Sequence, residues 1–398
     1  MQVDPRRGMG RNKLDRCIQV AASLIAGGVL MLRPSPAAAV PIFAERYGFS
    51  CSACHTAVPE LNAFGNAFRR AGYQLPSAPR HKEFPIALRF QESYMKDLSP
   101  SQTRRFNALA ILISTANFGP KNEFSYFARY LFGSQGAPGS LYYGYLQHVA
   151  PQSGVYERAG LFNLPLIANA TQRLDTFTTQ PAYAYTVGHN SATFANPRFG
   201  AMFGQQSDRL DAHIGLSLDE YHGAAYGAPT PPSDLIQTFA EPEVFASLTA
   251  RVVENLSVGA LRLSGNRTFR SQSNGSVFSD RYYRDGIQAG WMSSRFDFVG
   301  QQVWGRDTNA DGFGTPITSS GGFVTFKYRP TAHTYVGVRY DAVANPYATR
   351  DWDFYGVFPP STRSRFLVEY LRPINQPGTH TQLNMQLLFA LPEQNWVK

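Results

Sequence analysis

Apolar and polar residues alternate with a period of two along most of this chain. One run has five apolar residues on one face, with polar or small residues between them: Leu210, Ala212, Ile214, Leu216 and Leu218. Successive side chains of a β-strand point to opposite faces, so this alternation predicts strands. Residues 351–355, where acidic and aromatic residues alternate, are interpreted either as an extracellular surface or as loop packing. Comparable alternating runs occupy residues 84–97, 104–117, 124–132, 140–150, 197–206, 243–266, 281–291, 294–304, 321–329, 333–342, 363–372 and 383–391.

The alternating runs favour a barrel that crosses a membrane. Dyad-repeat segments of about 10 residues separated by turns are typical of outer-membrane barrels. The chain is 14% aromatic yet has a mean hydropathy of only −0.27, as a lipid-facing band around a wet lumen requires. A soluble sandwich or propeller also alternates, but no blade period is visible and nearly every run has an apolar face. The sequence therefore predicts that residues 84–398 form an all-β, antiparallel outer-membrane barrel of about 16 strands.

The first 39 residues have the pattern of a secretory signal peptide. Basic residues at the start precede an apolar run from Ile18 to Leu32, and Ala37-Ala38-Ala39 supplies a cleavage pattern. The mature chain is expected to begin at Val40 and to reach the outer membrane of a Gram-negative bacterium. Removing 6 basic and 2 acidic residues lowers the formal net charge from +9 to +5 (9 − 4). Because no basic block remains, nucleic acid is not predicted as a partner, whereas outer-membrane lipid is.

Cys51-Ser52-Ala53-Cys54-His55 matches C-x-x-C-H, the attachment motif for c-type haem. Two thiols at this spacing can add to the two vinyl groups of one porphyrin, and the adjacent imidazole can bind the iron. The same cysteines could form a redox dithiol or half of a zinc site. A zinc site would need two more ligands at matching spacing, and the chain has only 3 Cys, one of them in the signal peptide. The motif predicts one covalent haem c on Cys51 and Cys54, with His55 as an axial ligand.

Residues 40–75 are predicted to form a small α-helical haem module, joined to the barrel by a Pro-rich linker over residues 76–83. Pro59-Glu60-Leu61 indicates a helix start, after which apolar residues recur at helical spacing. A module this short needs the porphyrin to complete its core. The predicted walls of the haem pocket are Phe43, Phe49, Leu61, Phe64 and Phe68.

The sixth ligand of the iron is left open by the sequence. His81 is the nearest candidate along the chain, and Met95 is the next. A Met ligand would raise the reduction potential relative to a second His. A barrel residue could also serve, or the position could stay open and allow chemistry with small ligands.

The motif region resembles the haem module of the fused monohaem cytochrome–porins of bacterial outer membranes, a family that includes iron-oxidising members. The resemblance covers residues 43–75 and extends to the plan of signal, one haem and barrel, with no recognisable motif inside the barrel. It implies that the haem module plugs or caps the pore and passes electrons to a periplasmic carrier. The residues that carry it are Phe43-Ala44, Gly48, Cys51, Cys54-His55-Thr56, Pro59-Glu60-Leu61, Phe64-Gly65, Phe68 and Gly72-Tyr73.

The leading functional hypothesis is electron transfer across the outer membrane by a single c-type haem. The expected partners are an extracellular electron donor or acceptor, with Fe(II) as one candidate donor, and a periplasmic carrier such as a soluble cytochrome. Whether the protein oxidises Fe(II) as an oxidoreductase stays open, as does the direction of electron flow. Two alternatives remain: a diffusion porin with a structural haem plug, and a soluble periplasmic β-rich cytochrome.

Overall fold

The computed structural model of this chain describes a long series of strands preceded by a short N-terminal segment. The predicted signal peptide, over residues 1–39, and the linker, over residues 76–83, lie outside the described residues. Among the helices that are described, none has the length and apolarity needed to cross a membrane. The described residues are 47, 49, 51–57, 60–70, 73, 86–99, 103–120, 123–132, 139–150, 153–166, 176–207, 209–220, 235–331, 334–345, 348–361, 364–374 and 380–391.

The N-terminal segment contains two short helices separated by a small hairpin. In chain order these are α1 (Cys51–Cys54), β1 (His55–Ala57), β2 (Glu60–Leu61) and α2 (Ala63–Arg70). The predicted helix start at Pro59-Glu60-Leu61 is wrong, because Glu60 and Leu61 form β2 and pair with β1, which begins at His55. The helix begins after Asn62, whose side-chain Oδ1 accepts the backbone N–H of Gly65 at 2.8 Å. This is the bond of an N-cap, which fixes where a helix begins.

The remaining strands form one large sheet, with a third short helix, α3 (Pro181–Ala184), between β7 and β8. The strands are β3 (Ile86–Asp97), β4 (Arg104–Phe118), β5 (Phe124–Leu131), β6 (Ser140–Val149), β7 (Val155–Phe162), β8 (Arg198–Gln206), β9 (Leu210–Glu220), β10 (Leu235–Ala240), β11 (Glu243–Val253), β12 (Leu256–Ser271), β13 (Val277–Met292), β14 (Phe296–Asp307), β15 (Ile317–Tyr328), β16 (Tyr335–Asn345), β17 (Thr349–Ser361), β18 (Ser364–Pro373) and β19 (Gln382–Ala390).

The sheet closes on itself as an antiparallel barrel. The last strand, β19, pairs with the first, β3, and each strand from β3 to β9 pairs with the next. β10 and β11 share one position, since β10 pairs with one part of β12 (Ala240↔Arg267) and β11 with another (Val244↔Ser264), while β11 also pairs with β9. The 17 strands therefore fill 16 positions. The predicted barrel of about 16 strands is confirmed, and closure excludes a sandwich or a propeller.

Three details of the predicted strands are wrong. Residues 243–266 form two strands rather than one, because a turn at Glu254 and Asn255 separates β11 from β12 without Gly or Pro. β7 and β10 correspond to no predicted run. Residues 351–355 belong to β17, which pairs with both of its neighbours. Their alternation is that of a barrel wall, with Asp353 buried on the inner side and Trp352 exposed on the outer side.

The two faces of the wall differ in chemistry, as β14 illustrates. Phe296, Phe298 and Trp304 are exposed on the outside, whereas Asp297 and Gln301 are buried on the inside. Exposed large apolar residues recur on the outer face of most strands. A contiguous apolar exterior is unfavourable in water and suits hydrocarbon, where a closed barrel leaves no unpaired sheet edge.

The two ends of the barrel differ in their connections. At one end the strands are joined by tight turns such as 254–255 and 293–295, and we call this the short-turn end. At the other end the strands are further apart in sequence, as where β7 ends at Phe162 and β8 begins at Arg198, and we call this the long-loop end. β3 begins and β19 finishes at the short-turn end, because Ala390 pairs with Arg89 and Ile86 with Ser114. Ala87, near the start of β3, contacts Phe68 and Tyr73, so the N-terminal segment meets the barrel near the short-turn end.

Candidate functional site

The C-x-x-C-H motif lies on α1 and the start of β1. Cys51 and Cys54 share one helical turn, and Cys54 is partly buried. Asn62 holds this turn in place: its backbone N–H donates to the Cys54 carbonyl at 3.0 Å, and its side-chain Nδ2 donates to the Ala53 carbonyl at 2.9 Å. The residue that caps α2 thus also clamps the backbone of the motif.

Gly65 lets α2 lie directly against the motif. A Cβ at this position would overlap the Cys54 carbonyl oxygen and would also contact the side chain of Leu61. Glycine is the residue that permits so close an approach between two backbones. Gly65 is one of the residues that carry the family resemblance, and the close packing of α2 on Cys54 explains why glycine is needed there.

Gly65→Ala is expected to displace α2 from the motif and to reduce haem incorporation. The Cys54 carbonyl is backbone and cannot rotate away, so the helix itself must shift, at a cost of about 1–3 kcal/mol for overpacking. The haem absorbance per mole of purified protein measures the effect. Gly300→Ala is the matched control, because a Cβ there meets only atoms at 3.8 Å. Equal haem content in the two variants would contradict the packing.

An aromatic stack lines one side of α2. The Phe49 and Phe64 rings meet edge to face at 5.7 Å between centroids, and the Phe64 and Phe68 rings lie parallel at 6.1 Å. Phe64 is 40% exposed, so its apolar face is available to a ligand. Of the predicted pocket residues, Phe49, Phe64 and Phe68 form ring contacts, and Leu61 lies beside Gly65. Phe43 lies outside the described residues. A partly exposed thiol beside an exposed aromatic face fits a covalently attached porphyrin, which needs both attachment and apolar walls.

The described residues between Tyr47 and Tyr73, which we call the motif segment, rest on the inner wall of the barrel. Phe68 and Tyr73 are buried together with Ala87 of β3, and Phe127 of β5 packs against them. The Tyr73 and Phe127 rings are 5.5 Å apart, and the Tyr47 hydroxyl donates to the Tyr73 carbonyl at 2.9 Å. Ala87 is the second residue of β3, so this contact is made near the short-turn end.

Of the two predicted candidates for the sixth iron ligand, only Met95 lies among the described residues. His81 lies outside the described residues. Met95 lies on β3, where it pairs with Asn384 and Arg105. It is eight residues beyond Ala87, roughly 26 Å along the strand, so the structure does not bring it to the contact between the motif segment and the wall. The identity of the sixth ligand stays a prediction.

A second feature of the interior is the stretch of residues 176–197, which we call the lumen loop. It contacts inward-facing side chains of strands β12 to β18 and so lies inside the barrel. Its apolar side chains, Tyr183 and Phe194, are buried with Val299, Val303 and Phe323 of the wall. This contact explains why some inward positions of these strands are apolar although they face the lumen.

The middle of the lumen loop is held by a buried tyrosine. The Tyr183 hydroxyl donates to the Gln301 side chain at 2.5 Å. Burial raises the pKa of Tyr183, so the phenol stays neutral and remains a donor even in alkaline solution. The neighbouring Tyr185 hydroxyl lies 3.1 Å from that of Ser319, and burial raises its pKa as well. The loop is therefore fixed to the wall over a wide range of pH.

The tip of the lumen loop is a tight turn docked on the long-loop end. Gly188 has φ +55°, and a Cβ there would overlap the Ala310 carbonyl oxygen, which accepts the His189 N–H at 2.8 Å. The Asn190 side chain is fully buried and donates to Asp280 at 2.7 Å and to Asp307 at 3.0 Å. These bonds satisfy a polar group that would be costly to bury without partners.

Buried charges pin both ends of the loop. Glu243 pairs with Arg198 at 2.7 Å and with Arg267 at 3.1 Å, and Arg267 also donates to Ser191 of the loop at 2.9 Å. At the other end, Glu369 accepts the backbone N–H groups of Phe177 and Thr178. Glu369 thus bonds the loop directly, whereas Glu243 holds in place the arginine that bonds Ser191 of the loop.

The wall opposite the lumen loop carries arginines with neutral partners. Arg158 donates to Gln147 at 2.7 Å and lies 4.3 Å from the Tyr145 ring centroid. Arg129 lies over the ring of Tyr142. Acidic side chains instead gather on the loop-bearing wall, where Asp341, Asp353 and Glu369 surround Arg339. The interior is polar and its charge is unevenly distributed across the lumen.

Sequence reasoning did not find the lumen loop. The sequence indicated it only by the absence of an alternating run between residues 150 and 197. The residues that pin the loop occupy ordinary inward positions of strands, and nothing local distinguishes them from other polar residues of a wet lumen.

Comparisons with solved structures identify the fold. The barrel resembles the outer membrane channel DcaP of Acinetobacter baumannii, with a TM-score of 0.53 and 10% identity over 79% of this chain and 99% of that one. It also resembles Salmonella typhi OmpF in complex with daunomycin (0.55, 9%, 77% and 97%) and an anion-selective porin from Comamonas acidovorans (0.54, 9%, 77% and 98%). No family model matches the sequence, and no curated protein matches it. The chain has the fold of outer-membrane porins.

Proposed function

We propose that this protein is a diffusion channel of the outer membrane, with the lumen loop as its constriction and the motif segment at its short-turn mouth. The observation that carries the proposal is a closed barrel of 16 strand positions with a polar interior crossed by a pinned loop. Barrels of this size leave an aqueous lumen, whereas barrels of about 8 strands are filled by side chains. The apolar exterior and the porin fold support the membrane location.

The orientation follows from the connections of the barrel. Outer-membrane barrels place short turns in the periplasm and longer loops outside the cell. The short-turn end, which receives the N-terminal segment, is accordingly the periplasmic end. An exported chain with its motif segment at that end would present Cys51, Cys54 and His55 to the periplasm, where haem is attached.

The channel is tested by measuring ion current through the purified protein in planar lipid bilayers. Gly188→Ala is expected to loosen the tip of the lumen loop, because its Cβ overlaps the Ala310 carbonyl, and to change the single-channel conductance and its noise. Gly275→Ala is the matched control: it has a similar φ of +70° and the same backbone cost of about 1 kcal/mol, but nothing lies within 4 Å of its Cβ. A folded protein that carries no current would sink the proposal.

A second candidate function is electron transfer through a haem held by the motif segment. The observation in its favour is the C-x-x-C-H motif beside the exposed Phe64 ring on a segment that packs on the lumen wall. When bound, haem would supply one-electron chemistry. Cys51 and Cys54 would attach it, His55 would bind the iron, and Phe64 would shield one edge from water. A periplasmic carrier such as a soluble cytochrome could reach the short-turn mouth, with a donor or acceptor outside the cell.

The two functions are separated by His55→Ala in proteoliposomes. If the haem only plugs the pore, solute permeation persists and electron flux is the same in variant and wild type. If the haem carries current, the variant loses electron flux while the barrel still folds and still conducts ions. Stopped-flow mixing of the purified protein with Fe(II), and separately with a reduced periplasmic cytochrome, then shows which side supplies electrons.

A further inference from the structure

A groove of about 540 Å³ lies on the barrel wall where β11 to β14 approach the long-loop end. Arg262, Arg281 and Arg306 line it together with Tyr283 and Asn266. All three arginines are exposed, and they alternate along their strands with the buried, inward-facing Leu263, Tyr282 and Asp307. The groove therefore opens outward and is separate from the lumen and from the motif segment.

The strand register gathers the three arginines around one tyrosine. Tyr283 is the direct partner of Arg306 across β13 and β14, and Arg281 precedes it by two residues on the same face. The Arg262 guanidinium lies 5.1 Å from the Tyr283 ring centroid and 3.6 Å from the Asp285 carboxylate. A second carboxylate, that of Glu241, lines the groove and accepts a bond from the Asn266 side chain at 2.9 Å. Three guanidinium groups therefore stand against two carboxylates, which leaves the groove with a net positive charge and many hydrogen-bond donors.

The groove lies at the upper edge of the apolar belt. A strand needs about 9–11 residues to cross a membrane, and β13 has 16. If the membrane-spanning part of β13 begins at Met292 at the short-turn end, about 10 residues bring it to Tyr283. Trp291 and Ile287, which lie within that length, are exposed and apolar, whereas Arg281 lies beyond it. Tyrosine is enriched at such an interface, and arginine can extend its charge from there to the headgroups.

We propose that this groove binds a phosphate-bearing lipid headgroup in the leaflet at the long-loop end. The inference rests on the membrane location in the proposed function, but not on conduction or on haem. Guanidinium groups bind phosphate with paired, charge-assisted hydrogen bonds, and three of them converge where a phosphate at the headgroup level would lie. The acyl chains of the same lipid would run down the wall over Ile287 and Trp291.

The test uses native mass spectrometry of the full-length protein in detergent, titrated with phosphatidylglycerol or with phosphatidylcholine. The wild type is expected to retain the anionic lipid in preference to the zwitterionic one. The triple variant Arg262→Gln, Arg281→Gln, Arg306→Gln should lose this retention by about tenfold or more, because charge-assisted bonds to phosphate are removed. The matched control is Arg209→Gln, Arg251→Gln, Arg295→Gln, which removes three exposed arginines at the short-turn end.

Each other outcome of this experiment overturns the proposal. Equal retention of the two lipids, or equal loss in both triple variants, would show no specific site. Displacement of the lipid by millimolar inorganic phosphate would assign the groove to free phosphate. A change in the number of protein copies in the complex without loss of lipid would make the groove a contact between copies of this chain. Bilayer conductance of the same preparations is measured separately, so failure of the lipid site is distinguishable from failure of the channel.

Discussion

Replacing Cys51 and Cys54 together by Ala is expected to give a protein without covalently bound haem. The thioether bonds require both sulfurs, and no other cysteine remains after the predicted cleavage at residue 39. The loss is all-or-none rather than graded, because without the attachment bonds a porphyrin would rest on the exposed Phe64 face alone. Haem-stained denaturing gels and the absorbance spectrum of the purified protein measure the result. Cys17→Ala is the matched control and should leave haem content unchanged, since this residue lies in the predicted signal peptide.

The haem absorbance of the wild-type protein tests whether haem is attached at Cys51 and Cys54. A colourless wild-type protein, produced in cells that attach c-type haem to other proteins, would contradict haem attachment. The barrel and its channel function would be untouched by that result, because the sheet closes through β3 and β19 without the motif segment. A coloured double variant would place the haem elsewhere.

Glu243→Gln is expected to destabilise the barrel by about 3–5 kcal/mol, the usual cost of removing one partner of a buried ion pair. The carboxylate stands between Arg198 and Arg267 and also accepts bonds from Ser217 and Tyr282. Arg198 and Arg267 are 0% and 1% exposed, so a neutral amide would leave two guanidinium groups facing each other with little water to screen them. The midpoint of thermal unfolding, followed by the change in gel migration of the folded barrel, measures the loss.

Glu254→Gln is the matched control for this variant, because Glu254 lies exposed in the turn between β11 and β12. It should change the unfolding midpoint little, as exposed charges contribute about 0–1 kcal/mol. If both variants unfold at the same temperature, the ion pairs of Glu243 are not a source of stability. Since Arg267 also donates to Ser191, we further expect Glu243→Gln to loosen the lumen loop and alter the conductance.

Charged residues of the wall have different surroundings on its inner and outer faces. Inside, the buried ion pairs of the loop-bearing wall hold the lumen loop in place. Outside, Arg262, Arg281 and Arg306 are exposed near the edge of the apolar belt, where a charge would otherwise be costly to place against hydrocarbon. The same residue type therefore serves two purposes, and the parity of its position along the strand decides which.

The sequence by itself determined the fold class of this protein and predicted the chemistry of its motif. Alternation is a local property, because side chains of a strand point to opposite faces whatever its partners are, so the runs of β8, β9 and β14 could be recognised without neighbours. The motif is also local, since five consecutive residues carry both thiols and the imidazole. The strand count of about 16 was estimated from 13 such runs, which correspond to every barrel strand except β7, β10 and β17.

Only the tertiary structure decided what lies inside the barrel. Closure depends on β3 meeting β19, two segments nearly 300 residues apart. The lumen loop is held by partners on distant strands, such as Glu369 for Phe177 and Asp280 for Asn190, and single polar residues in strands do not announce such contacts. The same holds for the outer groove, because residues of β12, β13 and β14 become neighbours only once the register is fixed. Patterns of hydropathy specify which way a side chain faces, whereas long-range pairing specifies what it meets there.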